Sequence, residues 1–185
     1  MLAPGQGYIA FDAGPFMATV QVGVTSKFEM GGGTIFVPTG GAHPFWATPK
    51  VQVYDDGHTS VAAGVIHLFV PGEGRGGLAY TVGTIGSLNA STTIGGGVFY
   101  GDDSNDRHGP SISPVLLVGG ERRFKPRVSF MTDNYLGPQT AFISAGFRWR
   151  FRDWQLNTFG GVSIIFDQVV FPGGGVTFAY KFGKK

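Results

Sequence analysis

Apolar and polar residues alternate with a period of two through most of the chain, and this constrains the fold more than any other feature. Neighbouring side chains of a strand point to opposite faces, so an alternating segment has one apolar face and one polar face. The clearest case lies at 140–151, where Ala141, Ile143, Ala145, Phe147, Trp149 and Phe151 form one row. Ser144, Gly146, Arg148 and Arg150 form the opposite row. Near the C-terminus, Val176, Phe178, Tyr180 and Phe182 oppose Thr177, Ala179 and Lys181. In 45–54, Val51 and Val53 oppose Lys50 and Gln52; in 16–24, Phe16, Ala18, Val20, Val22 and Val24 oppose Thr19, Gln21 and Gly23. Helical periodicity does not recur, and no run of ~18 apolar residues provides a membrane-spanning helix.

Gly, Pro, Asp and Asn bound these segments and predict strands near 6–13, 15–24, 27–37, 45–54, 58–70, 76–86, 89–100, 111–121, 126–134, 139–149, 153–164 and 173–182. That is about twelve strands, with ten also compatible, each near the ~9–11 residues that cross a bilayer when tilted. Tight turns are expected at Thr25-Ser26, Asp55-Asp56-Gly57, Ser87-Leu88, Arg122 to Lys125 and Arg150 to Asp153. Longer links are expected at 38–44, 71–75, 101–110, 135–138 and 165–172, with a tight outer turn at Gly14-Pro15. Alternating short and long connections belong to an up-and-down barrel with short periplasmic turns. The expected fold is therefore all-β: a single antiparallel up-and-down transmembrane β-barrel domain over residues 1–185.

Composition agrees with a bilayer as surroundings. Only 14% of residues are charged, against roughly 25% in a soluble domain. Aromatic residues cluster at the expected strand ends, as interfacial girdles do. Phe28, Tyr54, Phe124, Trp149, Phe151, Trp154, Tyr180 and Phe182 lie by the short turns; Phe36, Phe45, Trp46, Phe69, Tyr100 and Tyr135 lie by the long links. A net charge of +2 without a basic patch argues against nucleic acid as a partner. The absence of Cys removes disulfides, thiolate metal sites and Cys nucleophiles. The first residues, MLAPGQGYIAFDAG, hold no basic region followed by an apolar core, so no signal peptide is read there, and an exported protein would be represented by a mature form with an added Met or by a truncated chain.

The stretches PFWATPKVQVYDDGHTSVAAGVIHLF, GGLAYTVGTIGS, VLLVGGERRFKPRVSFMTDNYL and SAGFRWRF resemble a group of uncharacterised outer-membrane β-barrel proteins of Gram-negative bacteria. The resemblance covers most of residues 27–164. It implies an outer-membrane barrel and no particular reaction. The closing AYKF resembles the aromatic-ended last strand recognised by the outer-membrane assembly machinery, although Gly183, Lys184 and Lys185 follow it.

Charged residues are costly against lipid, so the polar rows are expected to line the lumen. The candidates are Gln21, Glu29, Lys50, Gln52, Glu121, Asp133, Arg148, Arg150, Gln155, Asn157 and Lys181. They either pair with one another and plug the interior or line a water-filled channel and set its charge preference. Glu121 and Asp133 are the expected partners of Arg148.

Other motifs have less to offer. His67, between Ile66 and Leu68, lacks the nucleophile that a general base needs. Gly101 to Asp106 places oxygens at alternate positions, as calcium loops do, but lacks the downstream Glu. Gly72, Gly74 and Gly77 match G-x-G-x-x-G, yet a strand follows where a phosphate site needs a helix. The Gly31–33, Gly95–97 and Gly173–175 runs read as bends in a curved sheet. Asn89-Ala90-Ser91 is a sequon without meaning in a bacterial cell.

The sequence thus predicts a non-enzymatic outer-membrane barrel, a narrow passive pore or a plugged structural barrel, with the lipid bilayer as partner and no metal or cofactor. Two alternatives stand: a soluble lipocalin-like barrel with the faces inverted, and a barrel lipid hydrolase using His67.

Overall fold

A computed structural model describes residues 1–13, 16–36, 43–103, 111–165 and 169–183. Its strands are β1 (Gly7–Asp12), β2 (Met17–Gly23), β3 (Phe28–Ile35), β4 (Phe45–Ala47), β5 (Lys50–Asp55), β6 (Thr59–Val70) and β7 (Gly74–Gly86). They continue with β8 (Ala90–Asp103), β9 (Ser111–Lys125), β10 (Val128–Leu136), β11 (Thr140–Arg150), β12 (Trp154–Ile165) and β13 (Val169–Phe182). Sequence neighbours pair antiparallel, β4 and β5 excepted, and β1 pairs with β13, so the sheet closes on itself.

Thirteen strands fill twelve places in the ring, because β4 and β5 lie end to end between β3 and β6. The continuous strand expected over 45–54 breaks at Thr48-Pro49, since Pro49 has no N–H to give to a ladder. The gap is stitched: Thr48 N–H donates to Gly31 O at 2.8 Å, and Val65 N–H donates to Pro49 O at 3.0 Å.

Turns at 24–27, 56–58, 87–89, 126–127 and 151–153 gather at one end of the barrel, together with the β1–β13 junction Gly7–Phe182. Asp56 builds one of them. Its carboxylate accepts the N–H groups of His58 at 2.9 Å and Thr59 at 2.6 Å and the Tyr54 hydroxyl at 2.9 Å. These donors, Thr59 foremost, hold the Asp56 carboxyl below the usual carboxylate range. Gly57 beside it adopts φ +84°, a conformation that glycine reaches without steric cost.

Several boundaries differ from the sequence expectation. Arg122 to Lys125 belong to β9 and not to a turn, while β7 starts at Gly74, reducing the expected 71–75 link to three residues. The 135–138 link becomes 137–139. Long strands of this kind extend past their polar ends because ladder bonds satisfy the backbone whatever the side chain. The Gly14-Pro15 turn, most of the 38–44 link, residues 104–110 of the 101–110 link and the middle of 165–172 lie outside the described residues.

Register and burial sort the side chains. Ile9, Val20, Ile94, Leu116, Phe130, Ile143, Phe147, Val176 and Phe178 are exposed and face outward. Of the expected aromatic girdles, Phe28, Tyr54, Phe124, Trp149, Trp154, Tyr180 and Phe182 lie on the outward rows at the short-turn end. Phe45, Phe69 and Tyr100 lie outward at the other end. Trp46 and Tyr135 instead turn inward, since each is one residue out of phase with an outward neighbour, Phe45 and Leu136. The interior also holds an apolar cluster of Leu78, Val115 and Leu117, packed by Ile66, Tyr80, Val82 and Tyr135. An apolar wall thus runs across β6–β10 and shares that side of the lumen with Glu121 on β9 and Asp133 on β10.

Candidate functional site: a charged bridge in the lumen

Glu121 sits on β9 and both Arg148 and Arg150 on β11, with β10 between them. All three project into the lumen by the two-residue period, and Ser129 of β10 lies in the gap. Ser129 is fully buried and short enough for the arginines to pass over it. Arg148 Nη1 reaches Glu121 Oε2 at 2.5 Å, and Arg150 Nη2 forms a second ion pair with Glu121 Oε1. Arg150 Nη1 also donates to Ser129 Oγ at 2.6 Å. On the far side, Arg148 Nε donates to Asn157 Oδ1 at 3.0 Å, and Gln155 Nε2 donates to the same oxygen at 3.1 Å. Charge-assisted bonds from both edges of one carboxylate fix the two guanidinium planes.

A second polar group forms around Glu29. Gln21 Nε2 donates to Glu29 Oε2 at 3.5 Å, and Thr48 Oγ1 donates to Gln21 Oε1 at 3.0 Å. Gly31 makes room for the Gln21 carboxamide, which lies where a Cβ would project. The Leu2 N–H also donates to Glu29 Oε1, so the N-terminal residues lie against the short-turn mouth. Lys50 stands opposite Glu29 in register, and Gln52 Nε2 donates to Asp55 Oδ2 at 2.6 Å. Lys181 pairs with inward-facing Tyr8.

Asp133 is inward but does not join Arg148, contrary to the sequence expectation. It lies opposite Ser144, four residues along β10 from Ser129, and accepts the Tyr135 hydroxyl at 3.3 Å. Sequence reasoning missed Tyr8, Ser129, Tyr80, Tyr135 and Arg123 as lumen residues. Tyr135 reads as a girdle residue and Arg123 as part of a turn, and Tyr8, Tyr80 and Ser129 carry no charge to mark them; only the phase of each strand puts all five inside.

Two cavities meet at Arg148. One, of about 370 Å³, runs from Glu121 and Arg148 along the apolar wall to Asp133 and Tyr135. The other, of about 440 Å³, lies between Arg148, Tyr8, Thr19, Asn157 and Lys181, with Leu2 at its edge.

His67 is on the outward row, opposite Gly77, with Nδ1 2.7 Å from the Tyr100 hydroxyl and its ring edge-on to Phe69. Gly74 and Gly77 lie within β7, so the G-x-G-x-x-G match opens no helix. Residues 104–106 of the calcium-like segment lie outside the described residues, and no metal-ligating group of three His, Asp or Glu occurs among the described ones.

A closed antiparallel barrel of twelve strand places, apolar outside and with a charged bridge inside, has the architecture of a transmembrane β-barrel. No protein-family model matches the chain, and no curated protein matches it by sequence. Among solved structures, the KdgM porin in complex with disordered oligogalacturonate superposes with a TM-score of 0.70 at 8% identity, covering 96% of this chain and 98% of that one. The NanC porin gives 0.63 at 10% identity, covering 98% and 100%. A loop L8 deletion mutant of OmpT, an outer membrane protein of Vibrio cholerae, gives 0.55 at 11%, covering 90% and 63%. At these identities the likeness is one of fold.

Proposed function

We propose that this chain is a passive, non-enzymatic outer-membrane channel whose narrowest point is the Arg148–Glu121–Arg150 bridge. The observation that carries this is the position of Arg148, which borders the cavities on both sides of the bridge. Solute moving through the lumen passes this side chain, and its charge acts at short range there. The apolar exterior supports a bilayer location over the inverted, soluble lipocalin-like arrangement. His67 faces outward and is engaged by Tyr100, which speaks against a hydrolytic centre in the lumen. The outward Tyr180 and Phe182 that end β13 are the residues on which recognition by the assembly machinery would rest.

The KdgM porin was solved with an oligogalacturonate, a polyanionic sugar chain. In this lumen both bridge arginines are committed to one carboxylate, and Glu29 and Asp133 offset the inward cations Lys50, Lys181 and Arg123. That arrangement favours small solutes and weak ion preference over a track for polyanions. Single-channel recording in planar bilayers tests the proposal. Discrete conductance steps are expected; a folded barrel that stays silent would leave a plugged structural barrel instead.

A further inference from the structure

We infer that the apolar wall and Asp133 form a binding site inside the lumen for a small organic cation with an apolar body. The inference deepens the channel reading, because a ligand reaches this site through the lumen.

The cavity of about 370 Å³ brings together Ile66, Leu78, Tyr80, Leu117, Asp133 and Tyr135. Leu78 and Leu117 are only 5% and 7% exposed, so this wall is packed. Asp133 projects into it between two small neighbours in register, Gly119 on β9 and Ser144 on β11. Its carboxylate accepts the Tyr135 hydroxyl, and among the described residues no ion pair includes it. Arg148 lies opposite Ser129, four residues away along β10, about 13 Å at the ~3.3 Å rise of a strand. There it is held by Glu121.

An uncompensated carboxylate in a recess with an apolar wall concentrates cations. The rings of Tyr80 and Tyr135 add the negative face that attracts ammonium groups. Burying hydrocarbon against Ile66, Leu78 and Leu117 favours an apolar body, a gain that an inorganic cation lacks. A neutral molecule of the same shape would strip water from Asp133 without replacing it, and an anion would be repelled. The cavity suits a ligand of one ring with a short aminoalkyl chain, at the small end of ligand pockets.

The test is equilibrium titration of the refolded full chain in detergent with phenethylammonium, 2-phenylethanol, phenylacetate and ammonium chloride. Amide shifts of Gly119 and Tyr135 separate the site from the micelle. Phenethylammonium is expected to bind at least tenfold more tightly than each of the other three, and Asp133→Asn is expected to remove that preference. Equal binding of 2-phenylethanol, or tighter binding of phenylacetate, overturns the site. So does an Asp133→Asn barrel that folds and keeps the preference. If that variant does not fold, the ranking of the four probes on the unaltered chain decides. Conductance is read separately. A barrel that conducts but shows no amine preference loses the site and keeps the channel; a silent barrel that binds the amine loses the channel and keeps the site.

Discussion

Arg148 on β11 and Glu121 on β9 meet across an entire intervening strand, with 2.5 Å between Nη1 and Oε2. Ser129 of β10 makes this possible, because a larger side chain would occupy the path that both arginines take. One carboxylate thereby neutralises part of two cations at the point where the lumen cavities join.

Glu121→Gln should release both arginines from their shared anion and turn the lumen toward anions. The expected readout is a shift of the zero-current potential under a KCl gradient toward anion selectivity. The side chains are about one-quarter exposed, so the stability loss should be about 1–2 kcal/mol in a urea titration, below the ~3–5 of a fully buried pair. An unchanged potential would remove the bridge from the conduction path.

Ser129→Leu fills the gap that the guanidinium groups cross. Overpacking a closed site typically costs about 1–3 kcal/mol, and the Arg150–Ser129 hydrogen bond goes with it. Stability and ion preference should both move, with selectivity shifting in the same direction as for Glu121→Gln. A destabilised barrel with unaltered selectivity would show that the arginines reach Glu121 by another path.

Phe147 and Arg148 are adjacent and face opposite ways: Phe147 is 43% exposed on the outer surface beside Phe124, Phe130 and Trp149, and Arg148 is inside. Phe147→Arg should impair folding into lipid vesicles, costing up to ~2–4 kcal/mol at midplane and less toward the interface. The position, three residues from the end of β11, suggests the lower part of that range. Arg148→Gln should fold nearly as well as the parent and change ion preference. The reverse ranking in a vesicle-folding assay would mean that the faces are exchanged.

His67→Ala removes an outward hydrogen bond to Tyr100 and an edge contact with Phe69. The expected cost is about 0.5–1.5 kcal/mol, with conductance and selectivity as in the parent. A change in single-channel conductance would place His67 in communication with the lumen, against its outward register.

Local alternation is enough to specify the barrel: over Ala141 to Arg150 and Val176 to Phe182 it leaves one apolar and one polar face, and a closed sheet in lipid is the arrangement that satisfies every backbone group. It also determined that Phe147 and Arg148 part company, because that follows from strand geometry alone. What meets across strands follows from closure and register instead. Which of Glu121 and Asp133 reaches Arg148 depends on register between β9, β10 and β11 and on the size of residue 129, and neither is written in the local pattern of any one strand. The same holds for Trp46 and Tyr135: an aromatic near a strand end reads as a girdle residue, and its phase with its own strand sends it inward. The apolar wall of Leu78, Val115 and Leu117 is likewise a product of closure, since apolar residues from separate strands become one surface only when the sheet curls round to bring them together.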